Sequence, residues 1–216
     1  PLHSAAVLLS HEQCLLVAPN QTPEHHAASA VIPFEAQWLC TLRQDQEYAI
    51  AAALKSNEIL PKKLGIEASR TSTAMIAALG IGDMARLIDL EADLHQLRRR
   101  KDPDELALLR HAISATESMY ARARDIIAPG ITELTAYNEL QAAAVRTLGE
   151  APTATGNDYQ CASPGGAPRD RPALAGELYI LDLGPAYRGY FADNCRTFAV
   201  DGRPTDAQLA AHAAVT

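Results

Sequence analysis

The segment from Leu178 to Val200 places the strongest constraint on how this 216-residue chain can fold. Two arms rich in β-forming residues lie on either side of a turn that contains glycine and proline, a pattern typical of a long β-hairpin. Asp182 and Asp193 are symmetric about the middle of that turn, so a simple register predicts that they face each other. Directly opposed side chains have Cβ atoms about 4.5–5.5 Å apart.

Two carboxylates at that spacing repel each other and lose hydration on a half-buried sheet, so folding alone does not favour the pair. A divalent cation between them would offset this cost, and oxygen ligands suit hard ions such as Mg²⁺ or Mn²⁺. The alternative is a bulge that shifts the register and directs one aspartate to solvent or to a salt bridge with Arg196. The spacing alone leaves both possibilities open.

Composition excludes several classes of partner. The formal net charge is −7, from 19 Lys and Arg against 26 Asp and Glu, which works against binding nucleic acid or an anionic membrane. No run approaches the roughly 18 apolar residues that a membrane helix needs. The cysteines form no CxxC pair, so we expect reduced thiols and a cytoplasmic protein. They are Cys14, Cys40, Cys161 and Cys195.

Two domains are predicted, over residues 1–92 and 93–216. The first alternates short apolar runs with helical stretches, the pattern of an α/β unit. Its predicted elements are a hairpin over residues 5–17, a helix over 44–55, a strand over 64–67 and a helix over 72–79. The adjacent His25 and His26 lie in a polar loop and are interpreted as solvated rather than metal-binding.

The clearest helix start in the second domain follows a basic run at residues 97–101. Asp102 caps this helix, Pro103 occupies its first position, and Glu105 is placed to complete a capping box. The basic run is interpreted as a solvated linker rather than an anion-binding patch. Because the chain begins with Pro1 and ends inside a helical pattern, we expect it to be a piece of a longer protein.

A second capped helix, from Thr132 to Gly149, is followed by a segment rich in Gly, Pro, Asn and Asp. That segment, residues 152–172, is predicted to be a loop or a series of turns. Within it, the pair Gly165 and Gly166 could allow the backbone to approach a ligand closely. Alternatively, these glycines serve only as turn residues.

Three stretches of this sequence carry motifs of a known family. They are Leu97–Arg110, Ala128–Glu133 and the hairpin motifs Leu181-Asp182-Leu-Gly184, Tyr187-Arg-Gly189-Tyr190, Ala192-Asp193 and Arg196-Thr197-Phe198. In this order they resemble the creatinase/aminopeptidase family, which includes aminopeptidase P, prolidase and methionine aminopeptidase. The sequence is most similar to the Xaa-Pro peptidases.

The resemblance implies an α/β (α+β) fold, in which an N-terminal creatinase-like domain precedes the first half of a pita-bread catalytic domain. It implies a metal-dependent aminopeptidase or dipeptidase that cleaves the bond before proline in a peptide substrate. Two divalent ions (Mn, Zn or Co) would be held by two Asp, one His and two Glu. Asp182 and Asp193 match the two Asp ligands. The other three ligands would lie beyond Thr216, so this chain alone is expected to be inactive; family members often form dimers.

The loop before the hairpin departs from the family pattern. A substrate-contacting His usually stands 17 residues before the first Asp, where this chain has Gly165, and no histidine occurs between His111 and His212. Its loss is expected to weaken stabilisation of a developing oxyanion. A non-catalytic family member with a binding or assembly role is therefore the alternative function. A third, creatinase-like metal-free hydrolysis, would depend on the missing His.

Overall fold

A computed structural model describes residues 5–19, 26–34, 45–56 and 62–215 of the chain. The chain divides into two compact units, Pro1–Arg100 and Lys101–Thr216. The division falls at the basic run; that the two units are separate folding domains stays a prediction. Within the described residues, no helix is both long enough and apolar enough to cross a bilayer.

The first unit is built from short strands and helices. The strands are β1 (Ala6–Leu9), β2 (Cys14–Pro19), β3 (Ala30–Phe34), β4 (Leu64–Ile66) and β5 (Leu87–Asp89), and the helices are α1 (Asp45–Ser56), α2 (Thr73–Leu79) and α3 (Glu91–Arg98). β1 pairs antiparallel with β2 and β2 parallel with β3, while β4 pairs parallel with β5. The predicted hairpin, helices and short strand are confirmed.

Local capping explains why α2 begins and ends where the sequence predicts. The Ser72 hydroxyl accepts a hydrogen bond from the backbone N–H of Met75 at 3.1 Å, and Gly80 ends the helix with a φ of +70°. His25 lies outside the described residues. His26 has its Nδ1 atom 3.1 Å from the carbonyl oxygen of Ala28.

The second unit packs helices against one face of an antiparallel sheet. Its elements are α4 (Pro103–Ile126), α5 (Glu133–Leu148), β6 (Ala154–Cys161), β7 (Leu178–Tyr187), β8 (Tyr190–Phe191), β9 (Asn194–Ala199) and α6 (Asp206–Val215). β7 is the central strand and pairs with β6, β8 and β9. The predicted capping box is confirmed, since the Asp102 N–H donates to the Glu105 carboxylate at 2.8 Å.

The prediction that residues 152–172 form only loops and turns is wrong, because β6 lies within them. Tyr159 and Cys161 of β6 are buried, whereas the intervening Gln160 is half-buried, which is the alternation of a strand with one covered face. The register shifts at Gly156, where the φ is +116°. Pairing with β7 therefore overrides a composition that is typical of loops.

Alternation along β7 separates the core from an open face. Tyr179, Leu181 and Leu183 are fully buried in a cluster that includes Met119 of α4 and Leu140 of α5. The residues between them on β7 are only partly buried and lie on the opposite face. The sheet therefore has one face covered by helices and one face available for a functional site.

Candidate metal centre

Asp182 and Asp193 do not face each other directly, so that part of the sequence prediction is wrong. The hairpin turns at Arg188 and Gly189, whose φ angles are +50° and +87°. Positive φ at both central residues is characteristic of the two-residue type I′ turn, which matches the twist of the strands. The turn is centred one residue later than the sequence pattern indicates, and the register therefore places Cys195 opposite Asp182.

The register of the hairpin nevertheless indicates that the two aspartates lie on the same face of the sheet. Asp193 stands two residues before Cys195 in the link between β8 and β9, and it is exposed, whereas the adjacent Ala192 is buried. The Ala192 N–H donates to the Pro185 carbonyl at 3.2 Å, which continues the pairing with β7 through this link. Asp193 is therefore expected to be a diagonal neighbour of Asp182, for which the typical separation within a sheet is about 7–8 Å.

Neither carboxylate has a protein partner among the described residues: the side-chain oxygens of Asp182 and Asp193 accept no hydrogen bond and form no ion pair there. Arg196, the alternative partner, donates to the backbone oxygen of Cys195 at 2.7 Å. Its guanidinium lies 5.9 Å from the centre of the Tyr120 ring, on the helix side of the sheet. The alternative in which Arg196 forms a salt bridge with one of the aspartates is therefore not observed.

The structure adds a third carboxylate that the sequence analysis missed. Asp158 of β6 lies directly opposite Asp182, so Asp158, Asp182 and Cys195 form a row across three strands. Partial burial, followed by the negative charges of Asp182 and Asp158, raises the pKa of the Cys195 thiol. The alternation of polar and apolar residues from Asp158 to Cys161 was the signal for this strand, and the surrounding glycines and prolines obscured it.

Two unpaired carboxylates on one face fit the role of hard oxygen ligands for a divalent ion. Within the described part of the chain, no group of three or more His, Cys, Asp or Glu side chains is arranged to hold a metal. Asp182 and Asp193 can therefore supply part of a metal centre but do not form a complete one. The described cysteines Cys14, Cys161 and Cys195 are free thiols, and Cys40 lies outside the described residues.

The loop that contains Gly165 runs back along β6. The Gly166 N–H donates to Asp158 Oδ1 at 2.6 Å, and the Tyr159 N–H donates to the Gly166 carbonyl at 2.8 Å. Gln160 Nε2 also donates to the loop, at 2.7 Å. A Cβ atom at Gly165 would lie 2.6 Å from the Asp158 Cγ atom, so a side chain at this position would require the Asp158 carboxylate to move.

A buried carboxylate anchors the far part of the same loop. Glu133, the first residue of α5, is fully buried and accepts hydrogen bonds from the Arg169 N–H, its guanidinium and the Cys161 N–H. Burial raises the pKa of Glu133, but these hydrogen bonds outweigh it and lower the pKa to about 2. Next to it, the Arg171 guanidinium is paired with Glu177 at 2.9 Å. The loop is therefore fixed to the helix and the sheet by charge-assisted contacts.

Known structures share this arrangement of strands and helices. An Xaa-Pro dipeptidase from Bacillus anthracis superposes with a TM-score of 0.69 at 21% identity, covering 94% of this chain and 56% of that chain. The prolidase from Pyrococcus furiosus superposes with a TM-score of 0.66 at 19% identity, covering 95% and 58%. The fold is therefore the α/β fold of the prolidase and Xaa-Pro peptidase class, and the predicted fold class is confirmed.

Residues 107–216 match metallopeptidase family M24, and the chain belongs to that family. An uncharacterized peptidase, YqhT, from Bacillus subtilis is 28% identical over 151 residues, which cover 67% of this chain and 42% of the relative. The Xaa-Pro aminopeptidase of Escherichia coli is 31% identical over 127 residues, covering 57% and 29%. The chain thus spans less than half the length of these curated relatives. The family resemblance is confirmed, while the metal ligands stay a prediction.

Proposed function

We propose that this chain is part of an Xaa-Pro peptidase that hydrolyses the peptide bond before proline with the help of two divalent metal ions, Mn, Zn or Co. The observation that carries the proposal is the pair of carboxylates, Asp182 and Asp193, on the open face of the sheet. Both lack a protein partner among the described residues. Relatives named Xaa-Pro aminopeptidase and Xaa-Pro dipeptidase support the substrate class.

Asp182 and Asp193 would be metal ligands in this site rather than proton-transfer groups. When bound, a divalent pair supplies a Lewis acid and lowers the pKa of a water molecule for attack on a carbonyl. Asp182 is held rigidly because its strand is paired on both sides. A peptide with proline in the second position has a tertiary amide, so it lacks the N–H that other peptidases bind.

Behind these ligands, Tyr120 ties together the two backbone segments that carry them. Its hydroxyl lies 3.1 Å from the carbonyl oxygen of Leu181, which precedes Asp182, and 2.5 Å from that of Asn194, which follows Asp193. Burial raises the pKa of Tyr120 to about 12, so the hydroxyl keeps its proton and remains a donor. Tyr120 thereby helps to fix the spacing of the two aspartates.

A second candidate function is a non-catalytic family member with a binding or assembly role. The specific observation in its favour is Gly165, which stands where the family resemblance implies a substrate-contacting His. A Cβ atom there would lie 2.6 Å from Cγ of the Asp158 carboxylate group. A protein of this kind would retain the carboxylates and bind metal without turnover.

The test uses the natural protein that contains this chain, loaded with Mn²⁺ and assayed on an Xaa-Pro dipeptide and an Xaa-Pro-Xaa tripeptide. We expect hydrolysis of these peptides, none of the matched peptides with alanine for proline, and loss of activity in Asp182→Asn and Asp193→Asn. Asp125→Asn, at an exposed position, is the matched control. Metal binding without turnover would favour the non-catalytic function, and absence of metal binding would contradict the proposal.

We further propose that the protein acts in the cytoplasm on peptides, without nucleic acid or membrane partners, and that it forms a homodimer. The acidic net charge of −7 supports the exclusion of polyanions. Light scattering coupled to gel filtration of the natural protein measures the assembly directly. A monomer at micromolar concentration would contradict the dimer.

A further inference from the structure

Asp158 and Gly165 are in unusually close contact on the open face of the sheet. The ideal Cβ position at Gly165 lies 2.6 Å from both Cγ and Oδ1 of Asp158 and 2.9 Å from its Oδ2. All three separations are shorter than any that Cβ atoms tolerate. The φ of +141° at Gly165 adds a backbone preference for glycine.

The Asp158 carboxylate cannot easily move aside. Its Oδ1 atom accepts the Gly166 N–H at 2.6 Å, so a rotation away from Gly165 would break a short, charge-assisted hydrogen bond. The loop is also held by the backbone bond from Tyr159 to Gly166 at 2.8 Å. The carboxylate is therefore held against the loop, and the loop is held against β6.

The same carboxylate borders the candidate metal centre, because Asp158 lies directly opposite Asp182 in the pairing of β6 with β7. We propose that Asp158 restricts residue 165 to glycine: its carboxylate occupies the space that a side chain at residue 165 would enter. The loop therefore reaches the site as backbone alone, and the charged group beside Asp182 comes from β6. This inference rests on the proposed function, since it concerns what the same site presents to a substrate.

A double-mutant cycle in the natural protein that contains this chain tests the inference. The variants are Gly165→Ala, Asp158→Ala and the pair, and urea unfolding gives the unfolding equilibrium constant of each. The backbone strain at residue 165 is the same in both backgrounds and cancels from the cycle, which leaves the steric contact. We expect Gly165→Ala to raise the unfolding constant at least about tenfold more beside Asp158 than in the Asp158→Ala background.

Two further variants separate the steric contact from the effects of charge and backbone strain. Asp158→Asn keeps both the bulk and the acceptor for the Gly166 N–H, so Gly165→Ala should remain as damaging in that background as with Asp158. Gly130→Ala is the matched control, because Gly130 also has a positive φ, +96°, but has open space around its Cβ position. Gly130→Ala should change the unfolding constant by the same factor with and without Asp158→Ala.

The inference would be overturned if Gly165→Ala changed the unfolding constant by the same factor in the Asp158 and Asp158→Ala backgrounds. Should Gly165→Ala prevent folding, recovery of a folded chain in the double variant supports it, and failure of both contradicts it. Mn²⁺ titration of the unsubstituted natural protein is run alongside. No Mn²⁺ binding would count against the proposed metal centre and would leave the outcome of the cycle unchanged.

Discussion

Glu133 is expected to be a strongly acid-sensitive contributor to the stability of the second unit. Its carboxylate is fully buried, and hydrogen bonds from Arg169 and Cys161 outweigh the effect of burial and lower the pKa from the ordinary 4.5 to about 2. A difference of that size corresponds to about 3 kcal/mol. Because the folded-state pKa is the lower one, this stability is present above about pH 4.5 and is lost as the pH falls towards 2.

The perturbation is Glu133→Gln, which keeps the shape of the side chain and removes its charge. We expect urea unfolding at pH 7 to show a loss of about 3 kcal/mol in the free energy of unfolding. Between pH 4.5 and 2 the variant should lose less stability than the unsubstituted chain, because one titrating group has been removed.

Glu139→Gln on the same helix is the matched control. Glu139 is paired with Arg122 at 2.7 Å, but its side chain is 41% exposed, so the expected loss is below about 1 kcal/mol. The reasoning is refuted if Glu133→Gln unfolds within 1 kcal/mol of the unsubstituted chain at pH 7, or if its acid dependence is unchanged.

Four further predictions concern the site and the division of the chain. Tyr120→Phe should cost about 1 kcal/mol in unfolding free energy and weaken Mn²⁺ binding by the natural protein, as measured by calorimetry; unchanged affinity would contradict its role in spacing the ligands. Asp182→Asn removes a charge that, after burial, raises the pKa of Cys195, so iodoacetamide should alkylate that thiol faster at pH 8. The chain alone should not hydrolyse Xaa-Pro peptides, and robust turnover that is lost in Asp182→Asn would show otherwise. Limited proteolysis should cut between Arg98 and Lys101, and protection of that site would argue for one continuous domain.

Much of the second unit follows from signals that act over a few residues. The capping box between Asp102 and Glu105 marks the start of α4, and the Thr132 hydroxyl caps α5 by accepting the Thr135 N–H at 3.1 Å. Such contacts join neighbours in the chain, so their residue types are visible in the sequence. Local signals were therefore sufficient for the helices.

Strand pairing was less accessible from the sequence. Arg188 adopts a φ of +50°, which is uncommon for a residue with a side chain. The turn therefore lies one residue later than the sequence pattern predicts. A small change at a turn alters every cross-strand pair, and Asp182 therefore faces Cys195 instead of Asp193. The predicted pairing of Asp182 with Asp193 is wrong because the turn geometry depends on the twist of the whole hairpin.

The sequence by itself determined the family, the α/β class and two aspartates on the hairpin. Only the tertiary structure placed Asp158 beside Asp182 and its carboxylate against Gly165. These residues are distant in the chain and meet because β6 pairs with β7 and the following loop returns along β6. Side chains across a sheet become neighbours through register and loop path, and the free energy that selects them comes from burial of the whole sheet rather than from local preference.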